Sequence, residues 1–178
     1  DTLRFDALSC APDRRLLGED APLARTPALD SVAAQGTLFA RAVTTCCYTS
    51  PSHASIFTGT YWPRHGVLDL FRYSLSDGVE TLAEALRDRG WQTAQNAGRG
   101  WRNGDMFAKD FVGLNRGYQF HAFGGWMRRK SLRWLRRADA RGRWFLFWHT
   151  MAAHRPYGRS HRLFRLSLIH ISSPRDLS

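Results

Sequence analysis

Residues 49–59 read TSPSHASIFTG and combine hydroxyl side chains with a helix start. Pro51 predicts a short helix over Ser52–Phe57, which Gly59 ends, so the hydroxyl of Thr49 precedes the first turn. The backbone N–H groups and the dipole at a helix start favour an anion. A nucleophile there could attack a phosphorus or sulfur centre whose oxygens those groups hold. The same hydroxyl side chains could instead only cap the helix, so this stretch alone leaves both interpretations open.

Helices and strands alternate outward from this stretch. Helices are predicted over 26–36, where Thr26 is the N-cap, over 81–89, where Thr81 and Glu84 form a capping box, and over the basic segment 128–138. Strands are predicted over 37–43, 91–97 and 143–149, and a long loop over 98–127. This βαβ spacing predicts an α/β fold with a mostly parallel sheet.

The composition indicates about one packed domain and excludes a disulfide-rich protein. The chain has 178 residues, of which 43% are hydrophobic, enough for about one packed domain. No apolar run approaches the roughly 18–20 residues of a membrane span, and three cysteines exclude a disulfide scaffold.

The formal net charge is +11, and all the basic residues except Lys109 and Lys130 are arginines. This excess of cations fits either nucleic-acid binding or a generally arginine-rich composition, and the basic residues from Arg128 to Arg143 could form a solvated helix face.

Both ends of the sequence suggest a partial domain. The chain opens on Asp1 inside an apparent motif, and residues 166–178 resemble the translation of a sequencing-adapter read-through. We therefore expect a domain over residues 1–165 that is truncated at both ends, and a tail over 166–178 that is not part of it.

Several spaced motifs resemble the sulfatase family of the alkaline-phosphatase superfamily over roughly residues 1–165. The matching segments are DTLRFD at 1–6, TPALD at 26–30, TSPSHASIFTG at 49–59, PRHG at 63–66, GWQTA at 90–94, GLNRGY at 113–118 and FLFWH at 145–149 with HRPY at 154–157. The resemblance implies an α/β fold with a mostly parallel central sheet and helices on both faces. It also implies a metal-dependent hydrolase of sulfuric or related phosphoric esters.

The resemblance also assigns the metal site. Asp1 matches the family's first metal-binding aspartate, and Thr49 would supply a second ligand. A divalent ion is implied, with calcium as the first candidate and zinc or manganese if a phospho-enzyme forms. The family's later ligand pair would lie beyond residue 165, so we expect the 178-residue chain alone to be inactive.

Thr49 occupies the family's nucleophile position, where most members carry a cysteine or serine that becomes formylglycine. His53 stands where an arginine is expected, and Cys47 lies two residues too early to replace Thr49. These departures favour direct attack by the threonine hydroxyl. By position, His154 matches the catalytic histidine that faces the substrate, while His53, Arg99 and His149 are candidate substrate-binding residues.

Two alternatives remain open from the sequence. One is a phosphoryl or phosphoethanolamine transferase of the same superfamily, and the other is a basic nucleic-acid-binding module without catalysis. For the hydrolase we expect a small-molecule, glycan or lipid ester as substrate and no nucleic-acid partner. Membrane association and oligomeric state stay open, and for localisation the family implies only a periplasmic or secreted site in bacteria.

Overall fold

The computed structural model describes residues 3–12, 25–70, 72–96, 113–122 and 127–150. The chain divides into two compact units, one of residues 1–43 with 152–178 and the other of Thr44–Met151. Within the described residues, no helix is both long and apolar enough to cross a membrane.

The first unit contains a 3-10 helix over Phe5–Ala7 and helix α1 over Pro27–Gln35. Thr26 is the N-cap of α1, as predicted, but its hydroxyl makes no bond to the helix backbone. Instead it accepts a hydrogen bond from the Ser9 N–H (2.9 Å) and donates one to the Asp30 carboxylate (2.9 Å). The Ser9 and Thr26 hydroxyls each donate a hydrogen bond to the Asp30 carboxylate, and these two bonds hold the pKa of Asp30 below its ordinary value.

The predicted strand over 37–43 is wrong. These residues form no strand, and their apolar side chains Phe39 and Val43 are 74% and 89% exposed. Apolar and β-branched residues favour a strand only where a neighbouring strand completes the hydrogen-bond ladder. The described part of this unit contains no such neighbour.

The second unit contains four helices and three strands in its described residues. The helices are α2 (Thr49–Thr58), α3 (Trp62–His65), α4 (Leu82–Arg87) and α5 (Met127–Asp139). The strands are β1 (Gln92–Asn96), β2 (Phe120–Ala122) and β3 (Trp144–Trp148). β2 lies inside the predicted loop 98–127. Its three residues are too few to show a period, so only pairing with β1 defines them.

The three strands form a parallel sheet in the order β2-β1-β3. Ala94 of β1 lies beside Phe120 of β2 and Leu146 of β3. Because the strands are parallel, their carboxyl ends meet at one edge of the sheet. The predicted parallel α/β class is therefore confirmed.

Helices cover both faces of this sheet, as predicted. On one face the ring of Phe147 meets Phe57 of α2, with ring centroids 4.7 Å apart at 88°. On the opposite face the Asn96 amide donates to the Ser131 hydroxyl of α5 at 2.8 Å. Phe57 belongs to a buried cluster with Ala54, Val67, Leu75, Val79 and Leu114. Burial of a side chain of this size stabilises the fold by about 1.5–3 kcal/mol.

The predicted capping box at α4 is present. The Thr81 hydroxyl accepts from the Glu84 N–H (3.1 Å), and the Glu84 carboxylate accepts from the Thr81 N–H (2.9 Å). The Arg116 guanidinium donates to both oxygens of the same carboxylate, each at 3.0 Å. These bonds hold the pKa of Glu84 below its usual range, although its partial burial acts in the opposite direction.

Gly117 follows Arg116 and touches the backbone at the start of α4. Its φ is +83°, and a Cβ there would lie 2.2 Å from the Glu84 nitrogen. Backbone atoms cannot move aside as a flexible side chain can. Only glycine satisfies both the positive φ and this close approach.

We expect Gly117→Ala to lower the free energy of unfolding by about 2–4 kcal/mol, because positive-φ strain adds to a backbone clash. Gly90→Ala is the matched control, since Gly90 also has a positive φ of 79° but nothing within 4 Å of a Cβ. The control change is expected to cost about 1–2 kcal/mol. Urea unfolding of both variants measures the difference, and equal losses would contradict the close packing described here.

Candidate active site

Thr49 is the first residue of α2, with Tyr48 as the N-cap. The predicted start at Ser52 is therefore wrong by three residues. Pro51 is accommodated inside the first turn, where a backbone N–H has no partner within the helix. The first helical bond runs from the Ser52 N–H to the Tyr48 carbonyl at 3.1 Å. Thr49 thus belongs to the rigid first turn of a ten-residue helix.

Side-chain hydrogen bonds hold the first turn of α2 and the residues just before it. The Ser50 hydroxyl is buried and donates to the Leu70 carbonyl at 2.9 Å. The Thr44 hydroxyl donates to the Cys46 carbonyl (2.9 Å), so it accepts from the Ser52 hydroxyl (3.0 Å). The helix has no side-chain cap at Tyr48, so neither Thr49 nor Ser52 is the N-cap.

His53 lies one turn after Thr49 and bonds to its backbone. The His53 Nδ1 lies 2.7 Å from the Thr49 carbonyl. Because a carbonyl only accepts, Nδ1 carries the proton, and in the neutral ring Nε2 is the acceptor. Burial lowers the pKa of His53, and the carbonyl bond offsets part of that shift. At neutral pH this residue is therefore uncharged, unlike the arginine expected at its position.

His149 joins this group from the end of β3. Its ring centroid lies 5.3 Å from that of His53, at an angle of 76°. Its side chain is buried, and its backbone N–H donates to the Asn96 carbonyl at 2.7 Å, which continues the ladder beyond β3. The structure thus brings Thr49, His53 and His149 together beside the carboxyl edge of the sheet, where ligands bind in open α/β folds.

The other predicted site residues are Asp1, Arg99 and His154, and all three lie outside the described residues. Cys46 and Cys47 form no disulfide, and Cys47 is exposed. The Cys46 sulfur accepts from the Tyr48 N–H at 3.5 Å. Neither thiol occupies the position of Thr49 at the start of α2.

Gln95 is a buried polar residue of the sheet that the sequence alone did not single out. It is fully buried on β1, beside His121 of β2 and Phe147 of β3 in the sheet register. Its amide donates weakly to the Leu114 carbonyl at 3.4 Å, and its buried Oε1 meets no donor in the described structure. The sequence signal for Gln95 is its spacing of two residues from Thr93, which places both polar side chains on the same face of β1.

Ser55 and His65 form a serine–histidine pair that is not a nucleophile–base pair. The Val67 N–H donates to the His65 Nδ1 at 3.1 Å, so the proton is on Nε2. That Nε2–H donates to the Ser55 hydroxyl at 3.1 Å. The imidazole therefore cannot accept the serine proton in this tautomer. His65 is fully buried and ties α2 to α3 structurally.

The resemblance implies a divalent metal at Thr49, and the donors around this residue limit which ion could bind. Among the described residues, no group of three or more His, Cys, Asp or Glu side chains is placed to hold an ion. The side chains found with Thr49 are imidazoles, whereas calcium prefers six to eight oxygen ligands. The described donors therefore do not fit a calcium site by themselves.

We expect the protein to lose stability as the pH falls below about 6.5, because burial lowers the pKa of His65 in the fold. The unfolded chain then binds a proton that the folded chain excludes. His65→Asn keeps an acceptor for the Val67 N–H but does not titrate. It should lower the free energy of unfolding by about 1–3 kcal/mol at pH 7.5, and its stability should fall less between pH 7.5 and 5. Urea unfolding at both pH values measures the free energy of unfolding. If His65→Asn left its pH dependence unchanged, His65 would not be the group that causes the loss of stability.

Comparison with known proteins assigns this chain to a family. The family model described as Sulfatase matches residues 1–163. A comparison with curated proteins gives no match. Among solved structures, the chain is similar to the phosphonate monoester hydrolase of Agrobacterium radiobacter, with 26% sequence identity, a TM-score of 0.45 and 64% of this chain covered. The chain spans 24% of the length of that protein. The match over residues 1–163 shows that the chain belongs to the sulfatase family.

Proposed function

We propose that this chain carries the nucleophile-bearing part of a hydrolase of sulfuric or related phosphoric esters, with Thr49 as the nucleophile. The observation that carries the proposal is the position of Thr49 at the start of α2, with His53 bonded to its carbonyl at 2.7 Å. Membership of the sulfatase family supports ester hydrolysis as the reaction class.

In the proposed reaction, the Thr49 oxygen forms a bond to the sulfur or phosphorus of the ester, and its hydroxyl proton passes to solvent. The bond from that centre to the leaving oxygen breaks, and His154 would supply a proton to the departing group. Water then attacks the covalent threonine ester, which releases sulfate or phosphate and restores the hydroxyl. Backbone N–H groups and the dipole at the start of α2 favour the anionic group held there.

His53 and His149 shape one side of this site. In neutral His53 the Nδ1–H donates its hydrogen bond to the Thr49 carbonyl, so Nε2 is the ring nitrogen that remains for a substrate contact. The ring also packs against Phe147, with centroids 5.6 Å apart. We propose that His53 holds the backbone of Thr49 in place and that His149 and Arg99 contact the substrate.

Metal dependence remains part of the proposal through Asp1 and Thr49. Calcium is the first candidate, with zinc or manganese if a phospho-enzyme forms. Such an ion would neutralise charge on the bound ester. We propose that the further ligands lie in the sequence beyond residue 165.

We expect Thr49→Ala to lower the turnover of 4-nitrophenyl sulfate and phosphate esters in the full-length protein by several orders of magnitude, because the attacking oxygen is lost. The fold should remain, since the change removes at most a bond worth about 1 kcal/mol. Thr49→Ser keeps a hydroxyl and should retain measurable turnover. Steady-state kinetics and thermal unfolding of the same preparations measure both effects.

Cys47→Ala is the matched control, because the exposed Cys47 thiol lies two residues before Thr49. Direct attack by threonine requires no thiol or aldehyde, so this variant should keep most of its activity. The reverse pattern, an active Thr49→Ala and an inactive Cys47→Ala, would show that a modified cysteine performs the reaction.

A further inference from the structure

A cavity of about 420 Å³ lies on the side of α2 away from His53, and residues of both α2 and α3 line it. Pro51 and Ser55 form the α2 part of the lining. At about 100° per residue, both lie about 160° around the helix axis from His53, whose ring packs on Phe147 of β3. The cavity is therefore separate from the group of side chains at the carboxyl edge of the sheet.

The lining combines buried residues with exposed aromatic rings. Tyr48 and Trp62 line the cavity, yet their side chains are 54% and 56% exposed. The buried lining residues are Pro51, Ser55, His65 and Val67. Pockets of about 300–1,000 Å³ with apolar and aromatic walls are typical binding sites for small molecules. This cavity has both the size and the lining of such a site.

The lining selects a neutral occupant. Among the described residues around the cavity, none is Asp, Glu, Lys or Arg. Burial lowers the pKa of His65, so this imidazole is uncharged at neutral pH. A charged group that entered the cavity would lose its water without gaining a counter-charge. The occupant is therefore uncharged, unlike the ester group attacked in the reaction proposed for Thr49.

The Ser55 hydroxyl supplies one directional contact inside the cavity. The His65 Nε2–H donates to the Ser55 oxygen at 3.1 Å, so that oxygen acts as an acceptor. The hydroxyl hydrogen of Ser55 has no acceptor among the residues that the structure describes, although the side chain is only 9% exposed. A buried donor without an acceptor is costly. An acceptor atom on a molecule in the cavity would remove that cost.

We propose that this cavity binds a neutral molecule of two fused aromatic rings, with a carbonyl oxygen that accepts from the Ser55 hydroxyl. An apolar cavity of about 150 Å³ holds one benzene ring, so about 420 Å³ has room for two rings beside Tyr48 and Trp62. This binding site is additional to the ester hydrolysis proposed for Thr49 and needs no turnover.

The test is calorimetric titration of the full-length protein with coumarin, a neutral two-ring molecule with one carbonyl, and with naphthalene, which has two rings and no acceptor. Ser55→Ala should weaken coumarin binding about three- to tenfold, because one hydrogen bond is lost. Naphthalene binding to the same variant should stay within about twofold, which shows that the cavity is intact. Coumarin-3-carboxylate, a charged analogue, should bind the unaltered protein at least about tenfold more weakly than coumarin.

Trp62→Ala should weaken the binding of both neutral ligands at least about tenfold, because an aromatic wall of the cavity is lost. Tyr61→Ala is the matched control, since Tyr61 precedes Trp62 and is 69% exposed but does not line the cavity. This control should keep both affinities within about twofold. Both substituted side chains are exposed, so these two variants remain informative if Ser55→Ala does not fold.

Four results would overturn the proposal: no saturable binding of coumarin, equal losses in Trp62→Ala and Tyr61→Ala, equal losses of coumarin and naphthalene in Ser55→Ala, or equal affinity for the carboxylate analogue. Coumarin should bind Thr49→Ala as tightly as the unaltered protein, and a loss there would place the ligand at the ester site instead. Because the assay measures binding alone, a failure of the Thr49 mechanism would leave its outcome unchanged.

Discussion

The edge-to-face contact between Phe57 and Phe147 determines where the candidate site lies. Their centroids are 4.7 Å apart at 88°, an arrangement that aromatic rings prefer. This contact packs α2 against β3 at Phe147, which lies two residues before His149. Since Phe57 and His53 are one turn apart on α2, the same packing brings His53 to His149 and sets Thr49 beside the sheet edge. A shift of α2 along the sheet would separate all three side chains.

The histidine at position 53 changes the electrostatics expected of this family. An arginine there would be a permanent cation, whereas His53 is half-buried, neutral at pH 7 and bonded to the Thr49 carbonyl. Its edge also meets Phe57 and Phe147 at centroid distances of 6.0 and 5.6 Å. A buried guanidinium among these rings would need a counter-charge. The exchange of arginine for histidine therefore fits an aromatic environment and a hydroxyl nucleophile at the same time.

Local signals in the sequence predicted much of the fold. The capping box at Thr81 and the strands around 92–96 and 144–148 appeared as expected, because each has its own short-range chemistry. The start of α2 was placed three residues late, since Pro51 is permitted in a first turn as well as before one. Whether β2 and the segment 37–43 form strands depends on a neighbouring strand with which each could pair. The local sequence does not show whether that neighbour is present.

The candidate site was likewise predictable from the sequence only in part. The resemblance identified Thr49, His53 and His149 by position, but it could not show that His53 donates to the Thr49 carbonyl. Gln95 was missed because a polar residue on a strand predicts an exposed face until the register places it beside Phe147. Tautomers and buried acceptors are properties of packing, so they follow from the structure alone.

The claim that Thr49 is the nucleophile is tested most directly by mass spectrometry of the peptide over residues 42–64. The full-length protein would be quenched during turnover of an ester and then digested. We expect one sulfuryl or phosphoryl group on Thr49 and unmodified thiols at Cys46 and Cys47. A formylglycine at Cys47, with no adduct on Thr49, would contradict it.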